Sequence, residues 1–419
     1  MEIDDIIIII IIIIIIIGGT MTKLCVLGMG YIGLPTALLF ANNGIEVVGV
    51  DVNERVVSTL QQGKMHFEEN GFQELLDSAM EKESFRASTK VEDSDVFLVA
   101  VPTPFDTEFR MADLKYVISA CEMVVPHLKK GNLVIIESTI PPKTCEKRVR
   151  KILELSGLKA SQEFYISHCP ERAIPGNTLH EMVNNDRVIG GLDEKATELT
   201  RDLYSSFVKG NLYLTTSTTA EMIKLMENTY RDVNIALANE LSMLAEDYDI
   251  NIWEAIEIAN KHPRVNIHKP GPGVGGHCIA IDPWFLTENA NNSSLITLAR
   301  NINDSMPIHV LKKVKKMVNG IENPVITVFG VAYKGDIADT RATPALKFIK
   351  LAEKEGFIIK TYDPFVKEFE YPILSLEEAV EGSDCIVVLT DHSMFRDIPV
   401  KELAGKMSSF NLVDTRNIF

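Results

Sequence analysis

The sequence predicts an α/β protein: two Rossmann-like parallel-sheet domains joined by a central helical domain with one long helix. Three observations carry this expectation. Residues 23–51 read strand, glycine loop, helix, strand and terminal acid. Residues 324–363 follow the same order without the glycine fingerprint. Between them, residues 218–248 hold one unbroken helical periodicity.

Size and composition agree. A chain of 419 residues is too long for one ordinary core, so two or three domains are expected. With 46% hydrophobic and 24% charged residues it reads as globular and soluble. The net charge of -16 argues against a nucleic-acid binder, which would carry a basic face, but leaves an anionic small ligand open. Six scattered cysteines with no CxxC pair point to reduced, cytoplasmic usage, not a disulfide framework or a zinc ribbon. Ile6 to Ile17 is an unbroken isoleucine run behind an acidic start. A bilayer span needs about 20 residues, and a signal peptide would start basic. Residues 1–20 therefore read as a low-complexity extension, with Met21 as the working start and a membrane-associating tail as the lesser alternative.

The strand KLCVL at 23–27 runs into Gly28-Met29-Gly30-Tyr31-Ile32-Gly33. A helix follows through Leu34, Ala37, Leu38 and Ala41, then strand EVVGV at 46–50, ending in Asp51. G-x-G-x-x-G alone is a weak signal; inside this whole unit it is a strong dinucleotide signature. The first glycine makes the turn, the second admits the pyrophosphate, and the helix N-terminus offers amides to the phosphates. Asp51 can accept both ribose hydroxyls, which favours NAD over NADP. Gly28, Gly30, Tyr31, Ile32, Gly33 and Asp51 are thus the first cofactor-binding candidates. Strands at 95–101 and 133–136 lead to Thr103 and Thr139, hydroxyls placed for a nicotinamide or a sugar. A strand at 164–167 leads to Glu171 and Arg172. Glu171 is either an acid or base at a strand end or a solvated surface carboxylate.

On the predicted helix from Thr218 to Tyr248, Glu221, Lys224 and Asn228 share a face. Lysine and asparagine four residues apart can reach one ligand oxygen, although most such patterns are exposed salt-bridge faces. The asparagine is the more informative, being a poor mid-helix residue. Next comes HKPGPGVGGHCIAIDPWF, His268 to Phe285, preceded by Arg264. Gly271, Gly273, Gly275 and Gly276 lead to His277 and Cys278, with Asp282 four residues on. Glycines let the backbone approach a ligand closely and present the thiol unobstructed. The alternative is a turn before a core cysteine. The second α/β unit then carries Lys334 and Arg341 on its first loop, where they could hold a diphosphate.

An NAD site, a loop cysteine and a Lys/Asn face suggest one chemistry. An alcohol is oxidised to an aldehyde, the thiolate captures it, a second oxidation gives a thioester, and water releases an acid. Lys224 and Asn228 would stabilise the alkoxide; Asp282 or Glu171 could assist the water.

The segments GMGYIGLPTA, VAVPTP, ESTIPP, AEMIKLMENTYRDVNIALANE, GPGVGGHCIAIDPWF and GVAYKGDIADTR resemble the UDP-glucose/GDP-mannose dehydrogenase family, in the family's order, over nearly all of Met21 to Phe419. The resemblance implies an NAD-binding domain over 21–205, a central helical domain carrying the catalytic loop over 206–310, and a UDP-sugar-binding α/β domain over 311–419. It implies a four-electron, two-NAD oxidation of a nucleotide sugar at C6. It makes Cys278 the nucleophile, with Lys224, Asn228, Asp282 and Glu171 as catalytic neighbours. It implies Arg172, Arg264, His268, Gly276, Lys334 and Arg341 as substrate-binding residues, Arg264 across a dimer interface. GGHCIAIDPWF is similar to the N-acetylhexosamine branch, which implies UDP-N-acetyl-D-mannosamine as substrate, with UDP-N-acetylglucosamine or UDP-glucose as alternatives. A homodimer or higher homo-oligomer is expected, with no metal, nucleic-acid or membrane partner. Two rivals remain: a two-electron dehydrogenase, with no use for Cys278, and a non-catalytic nucleotide-sugar-binding protein. A metal site from His268, His277, Cys278 and Asp282 has poor ligand spacing.

Overall fold

A computed structural model describes residues 22–67, 69–173 and 177–419. The isoleucine-rich extension and its working start at Met21 lie outside the described residues. The chain divides into two compact units, Met1–Leu225 and Met226–Phe419.

The first unit is built on one eight-stranded sheet: β1 (Lys23–Leu27), β2 (Glu46–Val50), β3 (Phe85–Ser88), β4 (Val96–Val99), β5 (Leu133–Ile136), β6 (Tyr165–His168), β7 (Arg187–Gly191) and β8 (Leu212–Thr216). Their order is β8-β7-β6-β5-β4-β1-β2-β3. From β3 to β6 this is the doubly wound order, with its reversal between β1 and β4. The central strands β1, β2, β4 and β5 read as continuous apolar runs because both faces are covered. Leu24 and Val26 of β1 point into one hydrophobic cluster, Cys25 and Leu27 into the other. Helix α1 (Gly33–Asn42) packs on the first face and is buried from Gly33 through Ala41. One pair departs from the parallel expectation: β7 runs antiparallel to β6, and β8 then pairs parallel with β7.

A 31-residue helix, α2 (Ser217–Asp247), begins in the first unit and ends in the second. The second unit adds α3 (Asp282–Thr287), α4 (Ser294–Met317) and α5 (Pro344–Lys354). Its sheet consists of β9 (Val325–Phe329), β10 (Ile358–Tyr362), β11 (Cys385–Val388) and β12 (Leu412–Asp414), all parallel, ordered β10-β9-β11-β12. Alternate residues again divide between two clusters, Ile326 and Val328 on one side and Phe329 on the other. Among the described residues no helix is long and apolar enough to cross a membrane.

Candidate active site

At the reversal point of the first sheet the glycine loop leaves β1. Gly28 has φ +98°, and a Cβ there would stand 2.6 Å from the Ala100 carbonyl oxygen. A Cβ on Gly33 would stand 1.9 Å from the Gly28 carbonyl oxygen, so α1 closes on the loop only because both are glycine. Gly30 is different: nothing lies within 4 Å of its added Cβ, which leaves backbone open to a ligand. Ile32 is the residue before α1 and makes no side-chain cap, so no side chain competes for the first amides of the helix. Asp51 accepts the Met29 amide at 2.9 Å and the Asn53 amide at 2.8 Å, fixing the loop against the end of β2. Tyr31 stacks on Phe67 with centroids 4.7 Å apart, and its hydroxyl donates to Glu69 at 2.5 Å. Thr103 has a buried hydroxyl with no hydrogen-bond partner among the described residues. Thr139 is half-buried beside Ser138, whose hydroxyl donates to the Val101 carbonyl at 2.7 Å and ties the two strand-end loops. An open glycine, an anchored acid and an unsatisfied hydroxyl at this edge fit a dinucleotide.

Glu171 is neither solvated nor free to move. One carboxylate oxygen accepts the Arg172 and Ala173 amides at 2.6 and 2.8 Å; the other pairs with the Arg187 guanidinium at 2.5 Å. Arg187 is 3% exposed and also reaches Glu137 at 3.5 Å, which accepts the Tyr204 hydroxyl at 3.0 Å. Burial pushes the Glu137 carboxyl up to about 7, with Arg187 pulling the other way. The Arg172 guanidinium donates to the Asp186 carbonyl at 2.8 Å.

The start of α2 supplies Glu221 and Lys224. Glu221 is wholly buried and accepts the Lys143 and Cys145 amides at 2.5 and 2.8 Å, just beyond the Thr139 loop. It therefore shapes that loop from the helix and is no part of an exposed ion-pair face. Lys224 is half-buried and within electrostatic reach of His168, whose ring burial pushes down to about 3.

In the second unit α2 presents Asn228. Its amide nitrogen donates to Asp282 at 2.5 Å, and its oxygen accepts from Arg231. Asp282 is the first residue of α3, and its amide donates to the Cys278 carbonyl at 2.9 Å. The thiol-bearing residue is exposed one turn before that helix, against the alternative of a core cysteine. Gly276 (φ +78°) donates its amide to the Arg341 carbonyl at 3.0 Å, and a Cβ there would press on the Tyr333 ring at 3.1 Å. Tyr333 and Arg341 both lie within electrostatic reach of Cys278. Arg341 is braced by Asp339 at 2.5 Å. His268 meets Tyr230 of α2 edge to face at 6.1 Å. Lys334 and Arg264 are exposed. Asp363, at the end of β10, accepts the Val331 amide at 2.8 Å, as Asp51 accepts Met29 in the first unit, and also pairs with buried His392 at 3.0 Å.

Sequence reasoning passed over several supporting residues. Asp232 pairs with buried Arg300 and accepts Asn303 at 2.8 Å. Asn239 donates to Asn303 at 2.9 Å and accepts the Gly271 amide at 2.8 Å. This polar chain runs from α4 through α2 to the glycine loop that carries Cys278. Its signal was present as Asp232 and Asn239, polar residues two helical turns apart among the apolar positions of α2. Arg187 and Glu137 carried no such signal.

Known proteins align along most of the chain. Residues 22–208 match the NAD binding domain of the UDP-glucose/GDP-mannose dehydrogenase family, 218–305 its central domain and 327–419 its UDP binding domain. A UDP-N-acetyl-D-mannosamine dehydrogenase of Methanococcus maripaludis is 48% identical, covering 94% of this chain and 93% of its own. An NDP-N-acetyl-D-galactosaminuronic acid dehydrogenase of Ralstonia nicotianae is 40% identical, covering 94% and 96%. The solved structure of a UDP-D-ManNAc dehydrogenase from Pyrococcus horikoshii is 44% identical with a TM-score of 0.90, covering 95% of this chain and 96% of its own.

Proposed function

The chain belongs to the UDP-glucose/GDP-mannose dehydrogenase family, and on that premise we propose that it oxidises UDP-N-acetyl-D-mannosamine at C6 to the uronate in two steps. As a member it is an NAD-dependent UDP-sugar dehydrogenase. The observation that carries the finer reading is the exposed Cys278 on a glycine loop, one turn before a buried Asp282 locked to Asn228. A two-electron dehydrogenase needs no such thiol.

NAD, when bound, takes up two electrons at each of two steps, and Gly30, Asp51 and Thr103 are the residues that would hold it. Cys278 adds as thiolate to the C6 aldehyde, forming a carbon–sulfur bond and a thiohemiacetal alkoxide. Lys224 and the second amide hydrogen of Asn228 donate to that oxygen. Oxidation gives a thioester; water attacks it, the thiolate leaves, and Asp282 takes the water's proton. Glu171 and Arg172 order the substrate loop, while Arg264, His268, Gly276, Lys334 and Arg341 serve the UDP-sugar. The sugar itself is supported by the named relatives, and the cytoplasm by five buried cysteines. A homo-oligomer is supported by Met226, Tyr230, Leu237 and Leu244, exposed apolar residues on one face of α2.

The test is NADH released per mole of UDP-N-acetylmannosamine, UDP-N-acetylglucosamine and UDP-glucose, with Cys278→Ala alongside. Two equivalents on the mannosamine alone, and no acid from the variant, are expected. Two equivalents on another sugar would remove the substrate and keep the mechanism. One equivalent, or an active variant, would remove the thioester.

A further inference from the structure

We propose that Arg187 is a positioning residue that sets two strand-end loops of the first unit, those carrying Thr139 and Glu171, by gripping both of their carboxylates on one guanidinium. That these loops serve catalysis rests on the function proposed above; the grip itself does not.

The direction of β7 produces the arrangement. In the antiparallel pair, Ser167 stands opposite Gly191 and His168 opposite Gly190. Continuing that register by three residues sets Glu171 opposite Arg187. A parallel strand would have delivered its first residue to the far edge of the sheet. The guanidinium therefore arrives at the edge where β5 and β6 end. One of its terminal nitrogens holds Glu171 at 2.5 Å, the other faces Glu137 at 3.5 Å. Its central carbon lies over the Tyr204 ring, 4.9 Å from the centroid, which limits its movement.

Each carboxylate transmits the grip to backbone. Glu171 spends its other oxygen on the Arg172 and Ala173 amides and so dictates how the chain leaves β6. Glu137 is the first residue after β5 and directly precedes Ser138 and Thr139. Only a planar fork can hold two carboxylates in separate directions; a lysine ammonium is a point charge on a flexible stem. The Arg187 Nε is buried with no hydrogen-bond partner among the described residues, and a cluster serving stability alone would gain by satisfying it.

The experiment compares Arg187→Lys and Glu171→Gln with the parent in three measurements: thermal unfolding, amide hydrogen exchange at Arg172 and Ala173, and steady-state kinetics. For Arg187→Lys we expect faster exchange at both amides. We also expect kcat to fall about a hundredfold, as loop misplacement by an ångström does, with KM for NAD nearly unchanged. Protection at Arg172 and Ala173 equal to the parent would overturn the proposal. So would a kcat loss that vanishes when the assay is run well below the variant's Tm, since that is a stability effect. If Arg187→Lys does not fold, Glu171→Gln carries the exchange test: unchanged protection there likewise overturns it. A parent with no activity on any UDP-sugar would end the functional reading, while the exchange data would still decide whether Arg187 orders the loop.

Discussion

Asn228 and Asp282 lie 54 residues apart and meet side chain to side chain, amide nitrogen to carboxylate, at 2.5 Å. They are 2% and 4% exposed. Arg231, one turn on from Asn228, donates to the amide oxygen and so dictates which end of the amide faces Asp282. The asparagine is thereby held with one amide hydrogen committed and one to spare. Asn228→Asp would set two buried carboxylates against each other. We expect a stability loss of about 3–5 kcal/mol and a kcat loss of at least about a hundredfold. Asn228→Ala should cost the catalysis with a smaller loss of stability. Thermal unfolding alongside kinetics separates the two; an Asn228→Asp protein with parental Tm would contradict the buried pair.

The glycines of the first loop should separate by function. Gly33→Ala meets the Gly28 carbonyl and should destabilise the protein by about 1–3 kcal/mol or prevent folding. Gly30→Ala meets only open space, so its stability should stay within about 0.5 kcal/mol of the parent while its NADH affinity falls. Denaturant titration and NADH fluorescence titration read the two effects independently. An alanine at position 30 that leaves NADH binding intact would show that the ligand does not approach there.

The polar chain behind the cysteine loop should be costly to break. Asp232→Ala leaves Arg300 buried with its main countercharge gone and should cost about 3–5 kcal/mol. Asn239→Ala leaves the Gly271 amide unsatisfied and should cost about 1–3 kcal/mol. Because that amide anchors the loop, kcat should fall in Asn239→Ala even at temperatures where the variant is fully folded. Urea midpoints and kcat at low temperature check both statements.

Glu137 and Glu221 should each make the fold less stable as pH rises towards neutrality, while His168, held down at about 3 by burial, works the other way. Burial pushes Glu137 and Glu221 from 4.5 up to about 7. Between those values the native state keeps protons that the unfolded chain has released, so unfolding becomes easier as pH rises. Carboxyls held low titrate below this window, as Glu92 does at about 2 beside Arg86. Glu137 is faced by Arg187, Glu171, Tyr204 and Cys169, of which Arg187 and the hydrogen-bonding Tyr204 hydroxyl oppose the shift. Glu137→Gln should remove the Glu137 share of this dependence. Urea unfolding across the window tests this, and an unchanged slope in the variant would mean that Glu137 is ionised throughout.

Much of the frame was legible in residues 23–51, because a doubly covered strand must be apolar throughout and a tight phosphate turn must be glycine. The helix at Pro344–Lys354 was legible for a similar reason, its proline and threonine marking the start. Strands β3, β7 and β8 were not. FRAS is short and half-exposed, RVIGG carries two glycines, and LYLTT is an edge strand with both tyrosine and leucine exposed. None shows the run of apolar residues that marks a central strand. At the site, Cys278 and the Lys224/Asn228 spacing could be read locally, whereas Glu171 was left between a catalytic group and a solvated one.

By itself the sequence determined what depends on neighbours along the chain: which turns need glycine, which faces of helix and strand are buried, and that a thiol follows a glycine loop four residues before an acid. Tertiary structure alone decided which polar groups meet. Glu171 found Arg187 because one strand runs against its neighbour, and Asn228 found Asp282 because a long helix passes the start of a short one. Periodicity reports the burial of each residue. It carries no record of the partner that satisfies a buried charge, since that partner is chosen by how the chain crosses itself.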